Sequence, residues 1–536
     1  MKIYSSEVSG SLKVRGDIFA ENYIVKSTVS TITQSFSSGS TIFGDSPDDT
    51  HQFTGSLFIS GSKISLDDGN NNIGIGANVF AAHAGGGGRN IAIGSNVMKD
   101  TDANATSLSS RGNVFLGYNV GSNTMGGTAA TEFNVIIGDS AGTGALDGAQ
   151  NNTAVGRRTL QALTQGDSNV AIGMDAGYEL TTGANNVLIG AEAGNSFQTT
   201  SNTVLIGYSA GDAINSTDAN GTIAIGYQAG LAITDGQYNT IMGYQAAANM
   251  TTGNSNVIIG YNAGNDTNGT NSVIIGKDAG DDNSPSNAVV IGYAAGRVIN
   301  GENTTAVGYN ALKVATEPDN TAVGAYALQA LVDGTNNTAL GIAAGYRIDK
   351  GDNSTFIGHY AGYNATGSKN TFIGSEAGKG GETGAPYSSG DKNVAIGAEA
   401  LKGFTTAKQN VAIGMGSLIK NETGDFNVAI GYFAGYYATG SNNTFIGRNA
   451  GRGVSSAPFA SGENNVAVGK EALEKFTTAG SNVAVGNFAG TDITSGGYHV
   501  LVGHQAGQKI TGANYTVNIG YRASRYNTGA YNTSLG

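Results

Sequence analysis

The chain has 536 residues, a formal net charge of −12, 85 glycines and neither cysteine nor tryptophan. Its few charges form no basic stripe, which disfavours nucleic-acid binding and attraction to anionic membranes. Glycine without an every-third-residue period argues against collagen. No apolar run reaches the roughly 18 residues of a membrane-spanning helix, so we expect no membrane insertion.

Residues 1–70 differ from the rest of the chain. Short alternating runs, such as residues 11–15 and 24–29, are separated by Gly and Ser, a pattern that predicts β-strands. The segment is too short and too polar to bury much core alone. We therefore predict an N-terminal β-rich segment for attachment or oligomerisation. Residues 1–6 lack the apolar run of a secretory signal, so we expect synthesis in a cytoplasm.

Residues 71–536 are predicted to form a repetitive array. A short apolar strand closed by glycine recurs 27 times, mostly at intervals of 16 or 17 residues, and the clearest copies lie in residues 169–194. A fixed period in this range is typical of a solenoid. We predict one coil of a parallel β-solenoid for each copy. Coils about 4.8 Å apart would give a shaft of roughly 130 Å.

The predicted strands are apolar on both faces. The residues three and one before the glycine share one face, which we assign to the interior together with an Ala and a closing apolar residue farther along. The predicted core includes Val170, Ile172, Ala176, Leu180, Val187, Ile189 and Ala193. The middle strand residue faces the other way. We predict inter-chain contacts for Leu188, Ile258, Phe356 and Phe372, because an exposed stripe this long is unusual for a monomer.

Two other positions of the repeat carry the same residue type in many copies: one is Asn and the other is Tyr. Asn stands four residues before the glycine in 19 copies, which predicts a hydrogen-bonded ladder between coils, with an array of glycan or metal sites as the alternative. Tyr often follows the glycine, as at Tyr208 and Tyr227. Those rings could stack on sugars, or they could pack on the surface or between chains.

Five intervals between glycines are longer than the others. The insertions lie at 80–89, 99–112, 121–133, 379–392 and 452–464, and the last two are related in sequence. Insertions in solenoids form lateral loops that often carry binding sites, although neutral surface loops are the alternative. The candidate surface-binding residues are His83, Pro386, Tyr387, Pro458 and Phe459.

Residues for catalysis or metal binding do not group in the sequence. The five His residues have no metal-ligand spacing, and no acidic cluster matches a calcium loop. We predict no catalytic residue, no cofactor and no metal site. A polysaccharide-cleaving enzyme, which needs two carboxylates beside a groove, is an alternative.

The repeated motif Asn-Val-Ala-Ile-Gly, found at 169–173, 393–397, 410–414 and 427–431, resembles the head repeat of trimeric autotransporter adhesins, a left-handed parallel β-roll. Similar arrays occur in phage tail fibres. In addition, residues 39–46 and 48–57 resemble a segment that recurs in virion and tail-fibre proteins of tailed phages. The longer period, and the lack of a signal peptide or C-terminal membrane-barrel segment, favour the phage fibre.

This resemblance implies an all-β, homotrimeric fibre of a phage virion, made in the host cytoplasm. Its N-terminal end would meet other tail or baseplate proteins, and its shaft would adhere to a host surface glycan or protein receptor. A bacterial cell-surface trimeric adhesin and a tailspike depolymerase are the alternatives. Because the sequence stops within a repeat at Gly536, we expect another domain, another protein or a removed segment to cap that end.

Overall fold

The computed structural model describes residues 71–80, 88–99, 110–123, 129–215, 219–282, 285–381, 387–456, 458–510 and 514–536. The strands predicted in residues 1–70 lie outside the described residues. The described part is all-β and contains no α-helix.

A parallel sheet of 27 strands runs through the array. Each strand pairs in register with the strand of the next coil, as Val170 does with Val187. The prediction of a parallel β-solenoid is confirmed. The strands of this sheet are Ile73–Ile75 (β1), Ile91–Ser95 (β2), Val114–Tyr118 (β3), Val135–Ile137 (β4), Thr153–Val155 (β5), Val170–Ile172 (β6), Val187–Ile189 (β7), Val204–Ile206 (β8), Ile223–Ile225 (β9), Thr240–Met242 (β10), Val257–Ile259 (β11), Val273–Ile275 (β12), Val289–Ile291 (β13), Thr305–Val307 (β15), Thr321–Val323 (β17), Thr338–Leu340 (β18), Thr355–Ile357 (β19), Thr371–Ile373 (β20), Val394–Ile396 (β21), Val411–Ile413 (β22), Val428–Ile430 (β23), Thr444–Ile446 (β24), Val466–Val468 (β25), Val483–Val485 (β26), Val500–Val502 (β27), Val517–Ile519 (β29) and Thr533–Leu535 (β31).

Two smaller parallel pairs lie on another side of the coils. Val298–Ile299 (β14) pairs with Val314–Ala315 (β16), and Lys509–Ile510 (β28) pairs with Tyr526–Asn527 (β30). Elsewhere the corners are turns whose backbone groups hydrogen-bond to the adjacent coil, as the N–H of Gly177 does to the carbonyl of Ala193 at 2.9 Å. Hydrogen bonds between coils are therefore not confined to the sheet.

Positive φ angles at fixed positions make each coil turn. In one coil they occur at Gly173 (φ 135°), Asp175 (60°), Gly177 (60°) and Asn185 (60°). The first angle suits glycine alone, and a Cβ there would also collide with the carbonyl oxygen of Gly190 in the next coil. The other three lie in the left-handed region, where a non-glycine residue is tolerated at some cost.

The middle residue of each strand points into the coil, which reverses the predicted assignment of the two strand faces. Ala171 is fully buried, whereas Ile172 is 40% exposed. Four residues predicted to be core are only partly buried or exposed and face outward: Val170, Ile172, Val187 and Ile189. Four residues predicted to contact another chain are instead fully buried within this one: Leu188, Ile258, Phe356 and Phe372. Ala176, Leu180 and Ala193 lie in the interior.

A column of buried Asn side chains runs along the interior beside the sheet. Asn169 donates through its backbone N–H and its Nδ2 to Oδ1 of Asn152, at 2.9 and 3.0 Å. Its Nδ2 also donates to the carbonyl of Gly183 at 2.9 Å. Thr203 and Ser272 occupy the same position in other coils: the Oγ1 of Thr203 donates to Oδ1 of Asn186 at 2.7 Å, and the backbone N–H of Ser272 donates to Oδ1 of Asn256 at 2.9 Å. The Asn groups are thus satisfied by the protein itself, as the ladder hypothesis expects.

Two positions of each coil share the same interior space: the middle residue of the strand and the residue four after the glycine. When one of them is large, the other is small, and we call this an exchange of volume. Where the residue four after the glycine is Leu, as at Leu160 and Leu401, the middle strand residue is Ala. Where the middle residue is Phe, as at Phe372, the residue four after the glycine is Gly378, and a Cβ on that glycine would collide with the Phe372 ring. Close packing requires this exchange, because each coil encloses little more than one large side chain at this point.

We predict that this exchange can be transferred between coils. Phe372→Ala should cost about 3–5 kcal/mol of stability through the cavity that it leaves. Adding Gly378→Leu should recover most of that loss, because Ala395 and Leu401 form the same pair in the next coil and Leu401 adopts φ 51° at the same corner. Denaturant unfolding, with hydrogen exchange to locate the affected coils, measures both effects.

The control for this pair is Gly378→Leu alone, which should destabilise the protein by overfilling the space against Phe372. A double variant no more stable than Phe372→Ala would contradict the exchange.

Candidate functional site

One edge of the solenoid carries three clefts in succession. This edge, which we call the basic edge, is formed by residues five to nine positions after the strand-closing glycine, from Ala330 to Lys475. The Arg347 cleft has a volume of about 530 Å³, the Lys402 cleft about 460 Å³, and the Arg452 cleft about 200 Å³. Volumes near 500 Å³ are typical of small-molecule sites.

The two related insertions form the walls of these clefts. Ser388 anchors the end of the first insertion: its Oγ donates to the carbonyl of Phe404 at 2.6 Å, and its N–H donates to the carbonyl of Asn364 at 3.0 Å. Ala460 occupies the matching place in the second insertion, where it bridges to Ala438. Each insertion therefore returns to the solenoid at a buried, hydrogen-bonded residue, which fixes the side chains next to it.

The Arg347 cleft is built around a guanidinium group between two tyrosine rings. The Cζ of Arg347 lies 5.7 Å from the ring centre of Tyr363 and 5.2 Å from that of Tyr387. Its Nη1 donates to the hydroxyl of Tyr387 at 3.3 Å. Asp349 and Lys350 complete the charged lining. Stacking holds the guanidinium while leaving its edge free to donate hydrogen bonds.

The Arg452 cleft repeats this arrangement with different residues. Arg452 lies 5.8 Å from the ring centre of Tyr437, and Tyr437 stacks on Phe459 at 5.6 Å. Here the cation also approaches a carboxylate, since Nη1 of Arg452 is 3.6 Å from Glu474. Burial raises the pKa of Glu474, an effect that Glu471 reinforces and Arg452 opposes.

At the Lys402 cleft, a network of carboxylates and ammonium groups joins the coil of Glu376 and Lys379 to the next coil, which carries Glu399 and Lys402. Nζ of Lys402 lies 2.5 Å from Glu376 and 2.9 Å from Glu399, and Lys379 lies 3.7 Å from Glu376. Burial would lower the pKa of Lys402, but its bonds to Glu376 and Glu399 outweigh burial and raise that pKa. The Lys402 ammonium in turn lowers the pKa of Glu376.

Charge is divided unevenly along the array. Residues 129–346 contain 5 Lys and Arg against 18 Asp and Glu, a net charge of −13. Residues 347–536 contain 15 against 12, a net charge of +3. Most of the basic edge lies in residues 347–536. Its cations therefore belong to the part of the array with a positive net charge, next to the acidic part formed by residues 129–346.

The structure brings together some of the predicted surface residues. Tyr387 lines the Arg347 cleft, Phe459 stacks on Tyr437 of the Arg452 cleft, and Pro458 next to Phe459 is exposed. The predictions for His83 and Pro386 lie outside the described residues. Five further residues that line the clefts are not among the predicted ones: Arg347, Lys350, Tyr437, Arg452 and Lys475. They lie five to nine residues after the glycine, at positions whose residue type changes from coil to coil, so no periodic signal marks them.

The tyrosines that follow the glycines form a separate column of rings. Tyr208, Tyr227, Tyr244 and Tyr261 stack at centroid distances of 5.4, 4.9 and 5.1 Å. Each inner ring therefore has both faces covered by its neighbours. Sugar stacking needs an uncovered ring face, so this geometry favours packing within the chain over the sugar-binding hypothesis for these rings.

Among the described residues no three His, Asp or Glu side chains are grouped so that they could hold a metal ion. Within the described part of the chain the structure also has no helix with the length and hydrophobicity needed to cross a membrane. No protein-family model matches the chain, and no curated protein is significantly similar to it.

We predict a pH-dependent contribution from the Lys402 network. The pKa of Glu376 is lower in the folded protein than the value of about 4.3 expected in the unfolded chain. Its carboxylate therefore stabilises the fold above that value, and the contribution is lost as the pH falls through the folded pKa. Lys402→Met should lower the unfolding free energy by about 1 kcal/mol at pH 7, and the difference should shrink below about pH 4.

Lys350→Met is the matched control, because Lys350 and Asp333 form a pair 3.4 Å apart with side chains 69% and 50% exposed. Its effect should be smaller at every pH. A Lys402→Met deficit that stays constant from pH 7 to pH 3 would mean that lost packing, rather than charge, causes the effect.

Proposed function

We propose that the chain forms the shaft of a homotrimeric phage virion fibre. Its N-terminal region would attach to tail or baseplate proteins, and its C-terminal part would adhere to the host surface. The observation that supports this proposal most directly is the outward face of the main sheet, which is apolar along the whole array.

The outward face consists of two columns of side chains. One residue before the glycine, all 27 strands of the main sheet have Ile, Val, Leu or Met. Three residues before it they have Val, Ile or Thr. Met242 is 42% exposed and Leu340 is 49% exposed in the single chain. Exposed apolar patches on soluble monomers rarely exceed a few hundred Å², so a face of this length needs a partner.

A second copy of the chain is the partner that fits this face best. The apolar side chains recur at the spacing of the coils, about 4.8 Å. Only a partner with the same axial repeat can match them over many coils, and another copy has that repeat. Closed rings of identical chains satisfy every such face at once. Three copies is the number implied by the resemblance to trimeric fibres and adhesins.

Two further features support a phage fibre that adheres. The segments 39–46 and 48–57 resemble virion proteins, which favours a virion over a cell-surface adhesin. The basic edge offers clefts that would be repeated on each copy, so that weak contacts with a surface would be multiplied by valency. We expect these contacts to bind a surface polymer without cleaving it.

We predict that the outward face holds the copies together. The purified full chain should have a mass in solution three times its 54.0 kDa. Met242→Arg combined with Ile259→Arg would put charges into two neighbouring coils of the face, and burying them would be costly. The trimer of that variant should dissociate at a lower guanidinium concentration, as followed by light scattering.

Asn249→Arg combined with Asp266→Arg is the matched control, because it adds arginines to exposed corner positions of the same two coils, outside the strands of the main sheet. It should leave dissociation unchanged. Equal behaviour of the two double variants would remove the outward face from the interface, and a monomeric wild-type chain would rule out the trimer.

We predict that the protein is found on virions. Antibodies raised against the coil array should label a fibrous appendage of purified phage particles from cultures that carry this gene, as seen by immunogold electron microscopy. Labelling of uninfected cells instead would support the cell-surface adhesin and contradict the virion fibre.

A further inference from the structure

We propose that the Arg347 cleft is a binding site for a neutral oligosaccharide. This inference rests on the adhesive function proposed above and gives it a ligand class and a location. It concerns the lining of the cleft by Arg347, Asp349, Lys350, Thr366, Tyr387 and Ser389.

The lining combines groups that only donate with a group that only accepts hydrogen bonds. Arg347 and Lys350 donate, the carboxylate of Asp349 accepts, and the hydroxyl of Ser389 does both; that of Thr366, which donates to the carbonyl of Ser388 at 3.4 Å, can still accept. A sugar hydroxyl also does both, so neighbouring hydroxyls of one sugar can use donors and acceptors side by side. Tyr387 adds an aromatic surface for the apolar face of a sugar ring.

The same lining disfavours an acidic polymer as the ligand. Asp349 lies in the cleft, and Asp333 is 3.4 Å from Lys350 and already balances its charge. An anion placed against Arg347 would therefore meet at least one carboxylate. Nucleic acid and uronic-acid chains would be repelled there, whereas a neutral sugar would not.

The central donor is positioned before any ligand arrives. Arg347 stands between the rings of Tyr363 and Tyr387 and donates one hydrogen bond to the Tyr387 hydroxyl. Tyr387 immediately precedes Ser388, which the solenoid holds by hydrogen bonds at 2.6 and 3.0 Å. Because these side chains are already ordered, little conformational entropy is lost when a ligand binds.

The site extends beyond one cleft. From the coil of Arg347 to the coil of Lys475 there are seven coil spacings, or roughly 34 Å along the axis. The Lys402 and Arg452 clefts lie between these limits on the same edge, and both combine cations, carboxylates and a tyrosine. An extended chain of sugars could therefore contact several clefts, and affinity should rise with chain length.

The test is binding of the full chain to an array of defined oligosaccharides. The array carries neutral hexose and N-acetylhexosamine chains of increasing length, sialylated and uronic-acid chains, and heparin. At least one neutral series should bind, with longer members bound more tightly and recovered with unchanged length. Arg347→Gln and Tyr387→Ala should each weaken that binding at least tenfold, and Tyr387→Phe should weaken it less because the ring remains.

Two matched variants are the controls: one removes a positive charge, and the other removes a tyrosine ring, at places outside the Arg347 cleft. Arg297→Gln removes a cation from the corresponding corner of a coil that precedes the basic edge, beside Asp281 and Asp282. Tyr244→Ala removes a ring from the stacked column. Both should bind like the wild type, and all variants should keep the wild-type mass and melting temperature.

Several outcomes would overturn the inference. They are no bound neutral saccharide, binding restricted to acidic chains, or wild-type binding by both Arg347→Gln and Tyr387→Ala. A trimer that labels virions but binds no saccharide would remove this inference and leave the proposed fibre intact. Saccharide binding by a chain that is monomeric in solution would rule out the trimeric fibre and leave this inference intact.

Discussion

In-register stacking of one coil on the next is the constraint on which the whole array depends. It places each residue directly against its counterparts in the adjacent coils, as Val187 lies against Val170 on one side and Val204 on the other. A residue at a given position must therefore be compatible with the residues at the same position in the adjacent coils. Polar Asn side chains satisfy this condition by bonding to one another. Glycine satisfies it where the carbonyl of the next coil comes too close for any side chain.

The same constraint explains why the core is specified over several coils. Ala171 and Gly177 are both small, yet no cavity needs to remain between them, because a Cβ on Gly177 would meet Leu160 from one neighbouring coil and Leu188 from the other. Small and large residues are therefore distributed along the axis as well as within a coil. This sets the order of the coils, since exchanging two of them would bring two large side chains together or leave a void.

The sequence predicted the solenoid, its period and the Asn ladder, because each follows from spacing alone. It did not predict which strand face is internal. Val170 and Ile172 on one side and Leu188 or Phe356 on the other are all apolar, so hydrophobicity could not distinguish a face buried in the chain from one on its surface. Two signals were present. Asn169 lies two residues before Ala171 and so shares its face. The middle position also varies from Ala to Phe, as a filled interior requires, while the outward positions are mostly Val, Thr or Ile.

The candidate site was predicted only in part, for a different reason. Tyr387 and Phe459 were found because they lie in insertions, which interrupt the repeat. Arg347 lies within an ordinary coil and Arg452 at the very start of an insertion, both at a corner where the array elsewhere has Glu179, Ser196 or Asp266. A corner side chain points to solvent, so packing places no demand on it and no periodic signal marks it. The stacking of the coils fixes the position of such a side chain, but the residue type at that position can differ from coil to coil. Recognition groups can therefore accumulate on this edge without disturbing the core, whereas the outward sheet face, apolar in every coil, can only match a partner with the same repeat.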